Sequence, residues 1–137
     1  MIDEHEVYVK RETAELLKKA GYNWMTQQGY LSSSGLLTSG HFSNDSDYGV
    51  AAPTLDVAKR WLREIKNYHI MLEYDLNIGF AGQELYDFEK IRAYILTNRS
   101  YSNVCVFQTD DYTTQDEADE NAIIKAVKLI IENGESS

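Results

Sequence analysis

Between Thr54 and Ile78 the hydrophobic period of this chain changes once. Leu55, Ala58, Trp61, Leu62 and Ile65 recur at helical spacing, and Tyr68, Ile70, Leu72, Tyr74, Leu76 and Ile78 then recur at every second position. The switch predicts an amphipathic helix running to about Lys66 that feeds a half-buried strand over 68–78. His69, Met71, Glu73, Asp75 and Asn77 take the wetter strand face. Pro53 fixes the entry, Thr54 can accept from first-turn amides, and Asp56 suits the positive helix end. Trp61 falls on the core stripe.

The rest of the chain reads by the same rules. A first helix is predicted over 10–20, with Ala14, Leu17, Thr13 and Ala20 inward, and Gly21-Tyr22 as a left-handed stop with an apolar residue behind it. Residues 22–51 carry weaker signals. Ser32-Ser33-Ser34-Gly35 between Leu31 and Leu36 predicts a hairpin turn, and 43–47 a second turn, giving two or three short strands. Further strands are predicted over 88–97 and 102–109. Ile91, Ala93 and Ile95 share one face of the first. Val104 and Val106 alternate with Cys105 and Phe107 along the second, so it is expected to be central or covered on both sides. Thr114 three residues before Glu117 predicts a capped helix. Ala118, Ala122, Ile123, Ala126, Val127, Ile130 and Ile131 form its stripe, and Gly134 its end.

These elements define an α+β class, in the order α-β-β-α-β-β-β-α. One antiparallel sheet of about five strands is expected, with three helices on one face. The last three strands lie too close in sequence for helical crossovers and should form a meander. At 137 residues, a single domain over 1–137 is expected.

Charge changes the functional picture more than composition does. The net charge is −9, placed almost wholly in residues 67–137, which disfavours direct binding to a phosphate backbone and favours basic partners. Cys105 is the sole cysteine, so no intrachain disulfide forms and a reducing compartment is expected. The first residues lack the basic and apolar blocks of a signal peptide, and no apolar run approaches the ~20 residues that span a bilayer. The expectation is a cytoplasmic protein without membrane contact.

Candidate chemistry is sparse. His5, His41 and His69 lack metal-ligand spacing, and His69, Glu73 and Asp75 lie about 13–20 Å apart along a strand. His41, Ser43 and Asp45 are neighbours in sequence, but a triad is assembled by the fold. Cys105 sits mid-strand, where a thiol packs and is inert. Gly35 and Gly40 have the glycine spacing of a phosphate loop without its lysine. No cofactor or metal is expected. The densest charge cluster is Asp110, Asp111, Asp116, Glu117, Asp119 and Glu120, six acids in eleven residues. Helix-end electrostatics accounts for part of it. As a functional element it would be a partner-facing surface.

Three segments carry a resemblance. Ala52-Pro53-Thr54 followed by Trp61-Leu62-Arg63, the helix Thr13–Tyr22, and the alanine-rich stretch Glu117–Ala126 resemble short α+β proteins of gut bacteria and their phages that have no assigned activity. The resemblance implies a fold and a mobile-element origin, and carries over no functional residue. The expected function is a small non-enzymatic protein-interaction module. An acidic decoy that mimics the charge of DNA and occupies a nucleic-acid-binding protein is a second expectation, and an enzyme a third.

Overall fold

The computed structural model describes residues 7–45, 48–78, 84–99, 102–108, 112 and 114–133. The elements run α1 (Arg11–Lys19), β1 (Thr26–Leu31), β2 (Leu37–Phe42), β3 (Gly49–Ala51), α2 (Leu55–Trp61), a π-helical segment (Leu62–Lys66), β4 (Tyr68–Ile78), β5 (Glu84–Arg99), β6 (Ser102–Gln108) and α3 (Gln115–Glu132). The α+β class and the three helices match the sequence pattern. The single sheet does not. Among the described residues two three-stranded antiparallel sheets form, ordered β2-β1-β3 and β4-β5-β6.

Local chemistry explains the helix ends. Thr54 accepts from the Val57 amide and Thr114 from the Glu117 amide, each satisfying one orphan donor of a first turn. After α1, Gly21 adopts φ 95°. The Gly21 amide bonds the Lys18 carbonyl and the Tyr22 amide the Leu17 carbonyl, a Schellman stop with buried Leu17 and Tyr22 as its apolar pair.

The predicted helix does reach Lys66, but its last turn is π-helical, and this corrects the assignment of Ile65. A π turn carries an extra residue and so rotates the side chains after it about the helix axis. Ile65 therefore leaves the core stripe and is 54% exposed, while the Lys66 ammonium lies 5.8 Å from the Trp61 ring. Asn67, at φ 63°, then turns the chain into β4.

β4, β5 and β6 form the expected meander. Tyr68 pairs with Thr97, Ile70 with Ile95 and Leu72 with Ala93, and Ile91, Ala93, Ile95 and Thr97 are buried. β6 is bonded to β5 alone among the described residues, so of the two expectations for it, central or covered on both faces, the central position is not met. α3 packs against α1, α2, β4 and β5, and α1 packs against β3. The helices thus link the two sheets, and one buried cluster contains Phe42 and Ala51 from the first sheet, Trp61 and Ile123 from the helices, and Ile95 from the second.

Candidate functional site

The chain before α1 runs antiparallel to the entry of α2. The Val9 amide donates to the Pro53 carbonyl at 3.0 Å, and the Leu55 amide to the Val7 carbonyl at 2.9 Å. This pairing holds Val7 beside the first turn of α2. The first turns of α3 approach from the other side. Between them lies a hollow of about 270 Å³, lined by Val7, Thr54, Leu55, Asp56, Val57, Asp116 and Asp119. A second hollow, of about 180 Å³, adjoins it and shares Thr54 and Val57. Met25, Ala52 and Pro53 help to line it. Val7 is 41% and Met25 69% exposed, so apolar surface is continuous with the hollows.

The six clustered acids part company here. Asp110 and Asp111 lie outside the described residues. Asp116 and Glu117 are exposed in the first turn of α3. Asp119 and Glu120 are turned inward, at 6% and 5% exposure. Two of the six are thereby removed from the continuous acidic surface that a DNA-charge mimic needs.

Glu120 has an internal duty. Its Oε2 accepts from the Lys10 amide at 3.3 Å, at the start of α1, where a carboxylate complements the helix dipole. Tyr30 lies close by, and its hydroxyl donates to the Val9 carbonyl at 2.7 Å. Burial first, and the Glu120 charge second, push that hydroxyl above its ordinary pKa.

Asp119 is the anomalous group. Its Oδ2 accepts from Lys59 Nζ at 3.0 Å, and the same ammonium lies 3.7 Å from Asp56 Oδ1. Its Oδ1 is buried and has no hydrogen-bond partner. The helix dipole accounts for Asp116 and Glu117, in the first turn, but fades before the fifth helical position, which Asp119 occupies. Burial raises the Asp119 pKa. Lys59 pulls it down, and Asp56 and Asp116 add to the rise. Burial prevails, so the folded chain holds this carboxyl's proton more tightly than water would.

A carboxyl group with a raised folded pKa binds its proton more tightly in the folded chain than in the unfolded one. Its contribution to stability is complete below the unfolded value, near 3.8, and is lost as pH rises through the raised one. An Asp119→Asn variant lacks this loss. Its stability relative to the parent should therefore climb as pH is taken from about 3.5 to 7. Urea midpoints at the two pH values check this, and a relative stability that falls with pH would overturn it.

Lys59 also borders a third hollow, of about 330 Å³, with Arg63, His69, Ile70, Met71 and Leu96. Its ammonium is already held by two carboxylates. The other sequence candidates do not assemble. His41 is exposed on β2. Ser43 Oγ accepts from the Asp45 amide in a local turn. Gly35 belongs to the β1–β2 hairpin turn. His5 lies outside the described residues, as does the Cys105 side chain. Among the described residues no group of three or more His, Cys, Asp or Glu could hold a metal ion, and no helix is long and apolar enough to cross a membrane.

Sequence reasoning missed Asp119 as a buried group, although a signal existed. Asp119, Ile123, Ala126 and Ile130 follow one another at helical spacing, which places the carboxylate on the apolar stripe. No protein family, curated protein or solved structure matches the chain.

Proposed function

We propose that this chain is a non-enzymatic interaction module that receives a basic, partly apolar segment of a partner protein where α2 and α3 begin. One observation carries the reading. Two adjoining hollows share Thr54 and Val57, are flanked by exposed Val7 and Met25, and are bordered by exposed Asp56 and Asp116. Exposed apolar side chains rimmed by charge of one sign suit association with a surface of opposite charge. The net charge of −9 adds a longer-range pull on such a partner.

The test is selection from a displayed library of random dodecapeptides against the immobilised full chain. The expected consensus combines Lys or Arg with apolar residues. Binding of the selected peptides should weaken about tenfold or more in an Asp56→Asn/Asp116→Asn variant, through lost charge pairing. It should also weaken with added salt. A consensus without basic residues, or binding indifferent to both substitutions, would sink the reading.

A further inference from the structure

β4 gives one edge to β5 and the other to no strand among the described residues. Along residues 69–73 the outward amides and carbonyls meet no hydrogen-bond partner among the described residues, so they form a row of open ladder positions. Such edges are commonly blunted by lysine, proline or a bulge. Between Tyr68 and Tyr74 there is neither lysine nor proline. The pairing with β5 is regular from Tyr68↔Thr97 to Tyr74↔Ile91 and shifts only after Tyr74. At the other end Asn67, at φ 63°, bounds the strand. The regular stretch is therefore 68–74, with Met71 at its midpoint, and Met71 is 54% exposed.

We propose that this edge pairs with the β4 edge of a second copy of the chain, antiparallel, about a two-fold axis through Met71. A two-fold contact sets one patch against itself, so the patch must be self-complementary. The axis at Met71 sets Ile70 opposite Leu72 of the second copy, and His69 opposite its Glu73. Apolar meets apolar and imidazole meets carboxylate, and the symmetry repeats both pairs. Arg63 lines the same hollow as His69, Ile70 and Met71, so the incoming carboxylate also arrives beside a guanidinium.

Other registers fit less well. An axis at Leu72 sets Met71 against Glu73. One at Glu73 sets the two Glu73 carboxylates against each other, which is unfavourable. One at Ile70 confines the regular pairing to 68–72. The best complementarity and the full length of the regular ladder thus coincide at Met71, and this points to a second copy and not to an unrelated strand. Two chains of net charge −9 repel at long range, but at 0.15 M salt screening confines that repulsion to about 8 Å. The edge shares no lining residue with the hollows at the start of α2 and α3, so the inference does not depend on the interaction-module reading.

The experiment follows the mass of the full chain by sedimentation equilibrium in 0.15 M salt. A contact this small is weak, so concentrations run from about 10 µM to 1 mM. The mass should climb from 15.7 kDa toward twice that value. Met71→Lys opposes two like charges at the axis and should weaken association about tenfold or more, with the amide spectrum still that of a folded chain. Cross-linking reads the register. In Met71→Cys the two introduced Cβ atoms face each other at about 4.5–5.5 Å, so mild oxidation should link residue 71 to residue 71, as mass spectrometry of the digested product identifies. In Glu73→Cys the like positions stand four residues apart along the strands, about 14 Å, and should link at most a tenth as well. A chain that stays monomeric at 1 mM overturns the pairing and leaves the edge to a strand of another protein. Association indifferent to Met71→Lys, or equal cross-linking at the two positions, would overturn it as well.

Discussion

Trp61→Ala should lower the unfolding free energy by about 3–5 kcal/mol, the range for emptying a large aromatic site in a core. Trp61 is fully buried. Its ring meets Tyr22 edge-on, with centroids 5.3 Å apart and planes at 69°, a geometry that adds to plain burial. It also stands where α2 gives way to the π turn, so its loss removes the packing that holds this junction against β4. With typical stabilities of about 5–15 kcal/mol, such a loss leaves the variant marginal at best. Trp61→Phe should cost much less. It keeps most of the ring and removes an indole N–H that has no partner, a group whose burial is itself costly. Urea unfolding followed by circular dichroism measures both. A loss below about 1 kcal/mol for the alanine variant, the centre of ordinary substitutions, would show that the junction is held by something else.

The same residue shows how far the sequence can be read. Helical spacing placed Leu55, Ala58, Trp61 and Leu62 inward, and all four are buried. The same spacing placed Ile65 inward, and that failed, because no propensity or cap signals a π turn in advance. Caps were legible wherever one side chain decides the end of a helix, as at Thr54, Thr114 and Gly21. Sheet partnership was not, because alternation along a strand reports its faces and not its neighbours. β6 has two apolar faces in sequence and yet lies at an edge among the described residues. Residues 26–51 pair among themselves rather than joining the meander. The acidic cluster was visible as composition, but its division into exposed Asp116 and Glu117 and buried Asp119 and Glu120 depends on where α3 packs. A charge on an apolar stripe is a local rule broken, and such breaks concentrate at functional or strained positions. That is why Asp119 outweighs its more conspicuous neighbours here.

Gly29→Ala should destabilise the first sheet by about 1–3 kcal/mol, the usual range for overpacking, and Phe42→Ala should rescue part of that loss. A Cβ on Gly29 would lie 2.1 Å from Phe42 Cδ1 and 2.2 Å from Cγ. Phe42 is buried and stacked on Tyr48 with centroids 5.0 Å apart, so its ring has little room to yield. Phe42→Ala alone should cost about 3–5 kcal/mol. In the double variant the obstructing ring is gone, so the combined loss should fall short of the sum by about 1–3 kcal/mol, the coupling of residues in contact. Gly49 supplies the control. Its Cβ would meet Phe42 Cε1 at 2.6 Å but also the Tyr30 carbonyl oxygen at 2.9 Å, and that backbone atom stays when the ring is removed. Phe42→Ala should therefore rescue Gly49→Ala less than it rescues Gly29→Ala. Denaturant midpoints for the three single and two double variants decide it. Strict additivity at Gly29, or equal rescue at the two glycines, would mean that the Phe42 ring is not what demands glycine in β1.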